Sequence, residues 1–538
     1  MHFIVKLFPE IIIKSAPVRK SMIRQLRRNL RTLIATITAP EDPGIEVRGE
    51  WDRIEIQSVS ETQTSQTALA SGDMASASLQ GEDLEAQAEA LEAAVAELLT
   101  RTPGIANCSR VVSYPLYSNK GKGASNKGKR IDAVEADAEQ VVDYDYLTDC
   151  VWASCAETLP GKRFVVRVKR TGKHGFASPE AERQIGGRLL ARAEGASVSL
   201  KAPELVVRLE VTGNVFYVLE STRQGIGGFP MGVQQPVLSL VSGGFDSTVA
   251  SYLTMKRGIR THFCFFNLGG RAHELGVKEV AHFLWQKYGA SHRVKFITVP
   301  FEGVVAEILT SVDNSQMGVV LKRMMLRAAS SVAEEWHVDA LVTGESVAQV
   351  ASQTLPNLAV IDAATDMLTL RPLVVMDKNQ IINIAREIGT EEFAANMPEY
   401  CGVISVKPTT NAKRDRIEAE EGKFDFAVLE RAVAARREEN IDEVMESDLG
   451  RVEVEIFSAP QPGVTILDIR HPDDSARRAL TAGNVTVETS PFYQVQNFFD
   501  GVAPETPYLL YCDKGVMSRL HAELLVERGF ARVGVYRP

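Results

Sequence analysis

The strongest chemical signal in the sequence is a run of small and polar residues that follows an apolar segment. Residues 237–241 are typical of a buried strand, and residues 242–247, Ser-Gly-Gly-Phe-Asp-Ser, follow directly. Glycines let the backbone approach a ligand closely and turn its N–H groups toward an anion. The helix expected to begin here adds the positive end of its dipole. The run therefore predicts a phosphate-binding loop whose Ser and Asp side chains can hold phosphate oxygens and a Mg²⁺ ion.

The second chemical signal is a cysteine at the end of another apolar run. Cys512 follows residues 508–511, enters a short loop, and precedes a helical pattern over residues 520–528. A lone cysteine is more often a buried structural residue. Here, however, the loop N–H groups and the helix dipole would stabilise a thiolate or a persulfide, which favours a functional thiol. Upstream, Asp468 and Arg470 form an Asp-x-Arg pattern.

The other five cysteines carry weaker signals. Cys401 lies among Pro and Gly residues, which predicts an accessible loop, and on the residues alone a spectator thiol is the favoured interpretation. Cys150 and Cys155 have a spacing that could ligate a metal, but no second pair lies nearby, and we predict no metal site built from cysteine or histidine. Cys108 and Cys264 lie in apolar runs and are expected in the core.

The chain has 538 residues, which predicts three or four domains. Its 60 basic and 69 acidic residues give a net charge of −9, which taken as an average argues against a nucleic-acid binder. The bases are clustered, however: residues 1–35 hold eight bases and one acid, and residues 162–192 hold nine bases and two acids. Such clusters can neutralise phosphates, although charge alone fits a solvated surface equally well.

The sequence lacks the features of an exported or membrane protein. No run approaches the roughly 18 apolar residues of a membrane span, and charged residues interrupt the apolar N-terminus, unlike a signal peptide. Six cysteines are too few for a disulfide scaffold. We therefore expect a cytoplasmic protein.

The elements that must position these residues are visible as changes in pattern. Residues 1–56 alternate strand-like and helical patterns, with a basic helix over 21–33 and a strand or hairpin over 45–56. Residues 57–88 carry five acids and no bases and predict a disordered insertion, before a helix over 89–99 and a strand over 105–112. From 237 to about 410, strands alternate with helices, which predicts a doubly wound parallel sheet.

The Ser-Gly-Gly-x-Asp-Ser run resembles the pyrophosphate loop of the N-type ATP pyrophosphatases. That resemblance implies that ATP, with Mg²⁺, is cleaved between its α and β phosphates and that the substrate is adenylated. The positions that match the family's nucleotide contacts are Leu240, Val241, Ser242, Gly243, Gly244, Asp246, Ser247, Phe265, Phe266, Lys322, Gly344 and Gln353.

The Cys512 loop with Asp468 and Arg470 resembles a rhodanese-type domain, and residues 162–232 resemble the end of a THUMP RNA-binding domain. With these domains in this order along the sequence, the whole chain resembles the tRNA 4-thiouridine synthetase family. The expected fold is multidomain α/β with α+β modules at the N-terminus. The domains are a ferredoxin-like domain (1–113, insertion about 57–88), a THUMP domain (114–222, insertion about 118–140), a doubly wound ATP pyrophosphatase domain (235–410), a helical linker (411–454) and a rhodanese-like domain (455–538).

The resemblance implies sulfur transfer to a tRNA uridine, expected at position 8. It assigns a persulfide to Cys512, which attacks C4 of the uridine directly or releases sulfide, and a resolving thiol that pairs with it to Cys401. It assigns adenylation chemistry to Asp246, and tRNA would contact Lys169, Arg170 and Lys173. Expected partners are tRNA, a cysteine desulfurase and the sulfur-carrier protein of thiamine thiazole synthesis. Two alternatives stay open: another adenylating enzyme, such as a tRNA 2-thiouridylase or an amidating ligase, and a non-enzymatic RNA-binding sulfur carrier.

Overall fold

The chain forms two compact units in a computed structural model, Met1–Gly228 and Phe229–Pro538. The structure describes residues 1–40, 42–49, 51–58, 76–117, 142–268, 270–395, 397, 407–446, 449–450, 452–483 and 485–538. Among the helices of these residues, none has the length and apolar character needed to cross a membrane.

The first unit is built on one eight-stranded sheet in the order β2-β3-β1-β4-β8-β7-β5-β6. The pairs β5–β6 and β5–β7 are parallel and the other pairs antiparallel. The strands are β1 (His2–Leu7), β2 (Ile45–Gly49), β3 (Arg53–Ser58), β4 (Ile105–Pro115), β5 (Arg163–Thr171), β6 (Ser197–Val198), β7 (Leu205–Thr212) and β8 (Val215–Gly227). The helices are α1 (Pro9–Ile12), α2 (Ala16–Ala35), α3 (Ser76–Arg101), α4 (Tyr144–Cys155) and α5 (Ser178–Arg192).

The two modules expected in this unit share that sheet. β4 pairs with β8 from Ile105 opposite Gly227 to Pro115 opposite Val215, so the proposed boundary at 113/114 falls within a strand. α2 is the basic helix expected from the sequence: it buries Leu26 and Leu30, leaves Arg24 and Arg28 exposed, and its Arg31 donates to the carbonyl of Val47 in β2 over 3.0 Å.

Both predicted bounds of the insertion at 57–88 differ from the structure. Residues 57 and 58 belong to β3, and α3 begins at Ser76 rather than at residue 89. The Ala, Leu, Gln and Glu residues of 76–88 have high helix propensity, which favours a helix although the segment has few large apolar side chains. Residues 59–75, like the predicted insertion at 118–140, lie outside the described residues.

The second unit begins with a six-stranded sheet in the order β13-β12-β9-β10-β11-β14. All neighbours are parallel except β14, which pairs antiparallel with β11. The strands are β9 (Gln234–Val241), β10 (Ile259–Asn267), β11 (Lys295–Pro300), β12 (Ala340–Val342), β13 (Leu368–Leu370) and β14 (Arg437–Asn440). The helices are α6 (Phe245–Lys256), α7 (Gly270–Tyr288), α8 (Glu302–Ser311), α9 (Met317–Glu335), α10 (Leu355–Asp362), α11 (Lys378–Ile388), α12 (Glu391–Ala395), α13 (Arg414–Glu421) and α14 (Phe426–Ala434).

This sheet is the doubly wound parallel sheet expected from the alternating pattern. Its strand order reverses beside β9, where β10 lies on one side and β12 on the other. In open α/β sheets, ligands bind outside the carboxyl ends of the strands at such a switch point. The phosphate-binding loop predicted after residue 241 follows the carboxyl end of β9.

The stretch 411–454 is not the helical linker that its charge suggested. Ile417 of α13 and Leu429 of α14 are buried in the core of the six-stranded sheet, and β14 forms the edge of that sheet. Arg323 of α9 is almost fully buried and makes two hydrogen bonds to Glu421, so part of the charge lies inside the protein. Buried pairing of this kind cannot be distinguished from a solvated charged face by composition.

The C-terminal part of the second unit is a five-stranded parallel sheet in the order β15-β19-β18-β16-β17. Its strands are β15 (Ile456–Phe457), β16 (Thr465–Asp468), β17 (Val487–Thr489), β18 (Tyr508–Tyr511) and β19 (Val533–Tyr536). Its helices are α15 (Pro472–Arg477), α16 (Val495–Phe499) and α17 (Val516–Glu527). With the mixed sheet of the first unit, these parallel sheets confirm the multidomain α/β fold class.

Candidate active site

The predicted phosphate-binding loop, residues 242–247, runs from β9 into the first turn of α6, and we call it the phosphate cradle. The backbone N–H of Ser242 donates to the Oγ of Ser247 over 3.1 Å, and that hydroxyl donates to the carbonyl of Gly244 over 3.3 Å. Gly244 caps the N-terminus of α6. The first N–H groups of a helix have no intrahelical partner, so this end of α6 favours a bound anion.

Two glycines make the close packing of this loop possible. Gly243 has a φ of +82°, a left-handed conformation that favours glycine. Gly344, in the loop after β12, lies against the start of α6: a Cβ at this position would be 2.5 Å from the carbonyl carbon of Asp246 and 2.6 Å from the nitrogen of Ser247. The loop after β12 therefore touches the start of α6 at the switch point, and it does so through backbone.

Asp246 is held by two residues that the sequence analysis did not identify. The Nζ of Lys378 lies 2.9 Å from its Oδ1, and the Nε2 of Gln349 donates to its Oδ2 over 2.7 Å. Lys378 is the first residue of α11 and also lies over the ring of Phe245 at 5.2 Å. The only sequence signal for either residue is a polar side chain in a loop after β12 or β13, which is a weak signal. The pair places a cation and a carboxylate at the mouth of the phosphate cradle.

α7 supplies a histidine to the same loop. The Nε2 of His273 lies 3.3 Å from the carbonyl oxygen of Ser242, so a neutral ring with its proton on Nε2 can donate this hydrogen bond. Burial lowers the pKa of His273, and the bond to Ser242 opposes that shift in part. The ring is therefore uncharged at neutral pH and fixes the loop without adding charge.

The predicted nucleotide contacts on the strands turn out to be core residues. Phe265 and Phe266 of β10 are 1% and 6% exposed, and the ring of Phe266 packs on that of Phe301 at 4.6 Å. Leu240 is half-buried and Val241 buried, side by side with Cys264 and Phe265 across the β9–β10 pair. At these positions, mainly the backbone is available to a ligand.

The last two predicted contacts lie in other elements. Lys322 is half-buried in the second turn of α9, and Gln353 is buried in a 3-10 helix, Ala351–Gln353. The Oε1 atoms of Gln353 and Gln349 are both buried and have no hydrogen-bond partner in the described part of the chain. A buried amide oxygen without a partner is costly, so both oxygens fit acceptors for N–H groups of a ligand.

The residues present also fit a magnesium ion that arrives with phosphates. Among the described residues, no group of three or more His, Cys, Asp or Glu could hold a metal ion. Mg²⁺ is usually bound by one or two carboxylates together with substrate phosphates and water. Asp246 is the carboxylate at the cradle that would hold Mg²⁺, and a bound ion would neutralise phosphate charge there.

Cys512 lies at the carboxyl end of β18, in a loop that α17 follows. Its Sγ accepts the backbone N–H of Ser518 over 3.3 Å and lies 3.4 Å from the Oγ of that residue. Ser518 is in the first turn of α17, so the sulfur faces the N-terminus of a 12-residue helix. This arrangement stabilises negative charge on sulfur.

The Asp-x-Arg pattern supports the same loop. The guanidinium of Arg470 donates two hydrogen bonds to Asp468, 2.9 and 2.6 Å long, and one of 3.3 Å to Asp513, the residue after the cysteine. The hydrogen bonds to Asp468 raise the pKa of Arg470. The permanently charged arginine therefore ties β16 to the Cys512 loop. Cys401, the predicted resolving thiol, lies outside the described residues.

The predicted RNA-binding residues lie together at the end of β5 in the first unit. Lys169 is 3.9 Å from Glu210, a carboxylate that Lys6 also contacts. Arg170 donates to Ser178 and lies 5.2 Å from the ring centre of Phe176. Lys173 follows in an exposed turn.

Comparisons with known proteins decide the family. The model of the family "Thiamine biosynthesis protein (ThiI)" matches residues 232–426, and the THUMP domain model matches residues 129–219. A tRNA sulfurtransferase from Pseudomonas syringae pv. syringae is 49% identical over 538 residues, and one from Saccharophagus degradans is 48% identical over 538 residues; each match covers 100% of both chains. The chain belongs to the tRNA sulfurtransferase family.

The tRNA sulfurtransferase fold is also found in a solved structure. A 4-thiouridine synthetase in complex with RNA, with bound ATP, is similar with a TM-score of 0.63 and 23% identity; the match covers 82% of this chain and 99% of that one. The family resemblance inferred from the motifs is confirmed, and the chain is an enzyme of the sulfurtransferase class. At the level of the family, its activity is the transfer of sulfur to tRNA.

Proposed function

We propose that the protein uses ATP to transfer sulfur to a tRNA uridine, at the expected position 8, and forms 4-thiouridine. The observation that carries the proposal is the meeting of Asp246, Lys378 and Gln349 at a glycine-lined cradle at the switch point. The bound ATP of the structural neighbour agrees with this use of the cradle. The unpartnered amide oxygens of Gln349 and Gln353 can accept N–H groups of an adenine or of the uridine.

The activation step follows from the charges at the cradle. The N-terminus of α6 and the ammonium of Lys378 stabilise negative charge on the phosphates. Uridine O4 attacks the α-phosphorus, the bond to the β-phosphate oxygen breaks, and pyrophosphate leaves. The uridine oxygen is thereby converted into part of a good leaving group, AMP.

The sulfur step uses the second loop. A cysteine desulfurase loads Cys512 as a persulfide, which the N–H of Ser518 and the start of α17 stabilise. The terminal sulfur attacks C4 of the uridine and AMP leaves. The thiolate of Cys401 then attacks the Cys512 sulfur, the S–S bond to the transferred sulfur breaks, and a Cys401–Cys512 disulfide remains for a cellular reductant. In this proposal, residues 455–538 act as a rhodanese-like domain.

A second role concerns thiamine. The matching family model is described as a thiamine biosynthesis protein, and a Cys512 persulfide could equally supply the sulfur-carrier protein of thiazole synthesis. Growth of a deletion strain without thiamine tests this role. Complementation by the wild-type gene but not by a Cys512→Ala gene is expected, and equal growth with both would exclude it.

The main test is a reconstituted reaction. The protein is incubated with ATP, Mg²⁺, a cysteine desulfurase with cysteine, and bulk tRNA, and the digested nucleosides are analysed for 4-thiouridine. Cys512→Ala should abolish thiolation but retain pyrophosphate release, whereas Asp246→Ala should lose pyrophosphate release itself. A different thionucleoside would favour another adenylating tRNA enzyme, and unmodified tRNA without pyrophosphate release would favour a sulfur carrier.

A further inference from the structure

The second unit contains a buried polar connection between the two chemical sites. The Nε2 of His521 on α17 lies 2.7 Å from the Oε1 of Glu279 on α7, and the two side chains are each 4% exposed. Arg271, near the start of α7, contacts Glu527 and lies 3.7 Å from Glu523, both on α17. We call these five residues the α7–α17 clamp.

The clamp fixes the direction of the two helices as well as their contact. Arg271, near the start of α7, contacts Glu527 at the end of α17. Glu279, further along α7, contacts His521 in the first half of α17. The helices therefore pack antiparallel, with two attachment points about 12 Å apart along α7 at roughly 1.5 Å per residue. Two separated attachments suppress both sliding and rotation.

Each helix of the clamp is tied to one of the reactive loops. α17 carries Ser518, whose N–H and hydroxyl contact the Cys512 sulfur, so moving α17 moves the sulfur. α7 carries His273, whose ring contacts the carbonyl of Ser242 in the phosphate cradle. The clamp therefore connects sulfur and cradle through two rigid elements.

Aromatic contacts continue the same surface. The rings of Phe283 on α7 and His471 stack at 5.1 Å with an angle of 24°, and those of Phe393 on α12 and Tyr493 lie 4.5 Å apart. The hydroxyl of Tyr493 donates to Glu392 over 2.6 Å. Aromatic residues with a polar end are common at stable interfaces, which agrees with a fixed placement of the C-terminal sheet on α7 and α12.

The chemistry of the clamp argues for placement rather than for stability alone. A buried polar pair loses its hydration, and an apolar pair of similar volume is often as stable or more so. What the polar pair adds is a single permitted register, because any shift leaves Glu279 or His521 buried without its partner. A pair of this kind is expected where the position of one element matters to another.

We propose that the α7–α17 clamp positions the Cys512 loop for delivery of sulfur to the uridine activated at the phosphate cradle. Arg271, Glu279 and His521 are then positioning residues of the transfer step. This inference rests on the proposed function, and it adds that transfer takes place with the C-terminal sheet seated on α7.

The test is a charge exchange at the more exposed end of the clamp. R271E and E527R, and the double variant R271E/E527R, are made in the full-length protein. R528E is the matched control, because Arg528 lies at the same end of α17 but pairs at 2.6 Å with Asp500, which directly follows α16. Three quantities are measured: tRNA-dependent pyrophosphate release, persulfide loading of Cys512, and single-turnover formation of 4-thiouridine by the preloaded enzyme.

Each single variant should lower single-turnover transfer by about tenfold or more, since a misplacement of roughly 1 Å can cost a factor of about a hundred. The double variant should recover part of the loss, because it restores an opposite-charge pair between positions 271 and 527 but leaves R271E facing Glu523. R528E should behave as wild type. Pyrophosphate release and persulfide loading should stay within about twofold in all variants, because each loop remains intact. A general folding defect would lower all three quantities.

A second pair of variants probes the buried contact. His521→Gln keeps an N–H donor for Glu279 and should retain transfer, whereas His521→Leu removes it and should lose transfer. Unchanged or faster transfer in R271E and E527R, or no recovery in the double variant, would overturn the inference. If the wild-type enzyme makes no 4-thiouridine, the proposed function fails instead.

Discussion

Lys378 and Asp246 are 132 residues apart in the sequence, yet the Nζ of one lies 2.9 Å from the Oδ1 of the other. The contact arises because α11 begins with Lys378 beside the start of α6. The lysine side chain is 42% exposed, so it can turn from the carboxylate to a phosphate without disturbing the core. The ion pair therefore lies on a solvent-accessible side of the cradle.

We predict that Lys378→Met lowers tRNA-dependent pyrophosphate release by about a hundredfold, a typical loss for a charge that acts on the transition state. Lys378→Arg should retain part of the rate, because arginine keeps the positive charge but presents it on a planar guanidinium instead of a compact ammonium group. Lys413→Met, at an exposed lysine before α13, is the control and should be neutral. A wild-type rate for Lys378→Met would remove the lysine from the activation step.

Gly344 gives a prediction about close packing. A methyl group there would lie 2.5 Å from backbone atoms of Asp246, and backbone cannot move aside as a flexible side chain can. Gly344→Ala should therefore displace the start of α6 and weaken ATP binding by about tenfold or more, measured by calorimetry. Gly303→Ala, where the nearest atom is a side-chain carbon at 3.7 Å, is the matched control and should bind ATP normally.

Much of the fold could be predicted because its signals are local. The apolar strands with loops of small residues after them indicate the parallel part of the six-stranded sheet, and the run at 242–247 predicts its ligand-binding end. The Cys512 loop was likewise visible from its strand, its loop and its helix. In both features, the contacts that shape the loop are made between residues that are close together in the sequence.

The parts that were missed depend on residues distant in sequence. Lys378 and Gln349 reach Asp246 only after β12 and β13 are in place, and neither has a local pattern. The place of 411–454 at the sheet edge and in the core includes the pairing of β14 with β11 and the bond of Glu421 to Arg323, which is 98 residues away. A charged segment with a distant partner has the composition of a linker.

The predicted RNA-binding residues differ in what surrounds them, and this gives a third prediction. Lys169 shares the carboxylate of Glu210 with Lys6, so part of its charge is already balanced. Lys173 lies in an exposed turn beyond this carboxylate. Lys173→Ala should therefore weaken tRNA binding more than Lys169→Ala and reduce the salt dependence of binding by about one counterion. Binding titrations at several salt concentrations measure both effects, and equal or reversed losses would contradict the ranking.

His262 gives a prediction about acid stability. Its Nδ1 accepts the backbone N–H of Lys295 over 3.0 Å, which requires the neutral ring, and burial lowers its pKa to about 4. An unfolded histidine titrates near 6.5. Between these two values the unfolded chain binds more protons than the folded one, so the free energy of unfolding decreases as the pH falls from about 6.5 to 4.

At pH 5 this single group should lower the free energy of unfolding by about 2 kcal/mol relative to pH 7.5. His262→Asn keeps an acceptor close to the position of Nδ1 but does not titrate, so it should lose less stability between these pH values than the wild type. Urea unfolding at both pH values measures the difference. His337→Asn is the control, since His337 is exposed and its φ of +50° is a conformation that asparagine accepts. If His262→Asn and the wild type lose stability equally on acidification, the His262 ring is not the group that titrates.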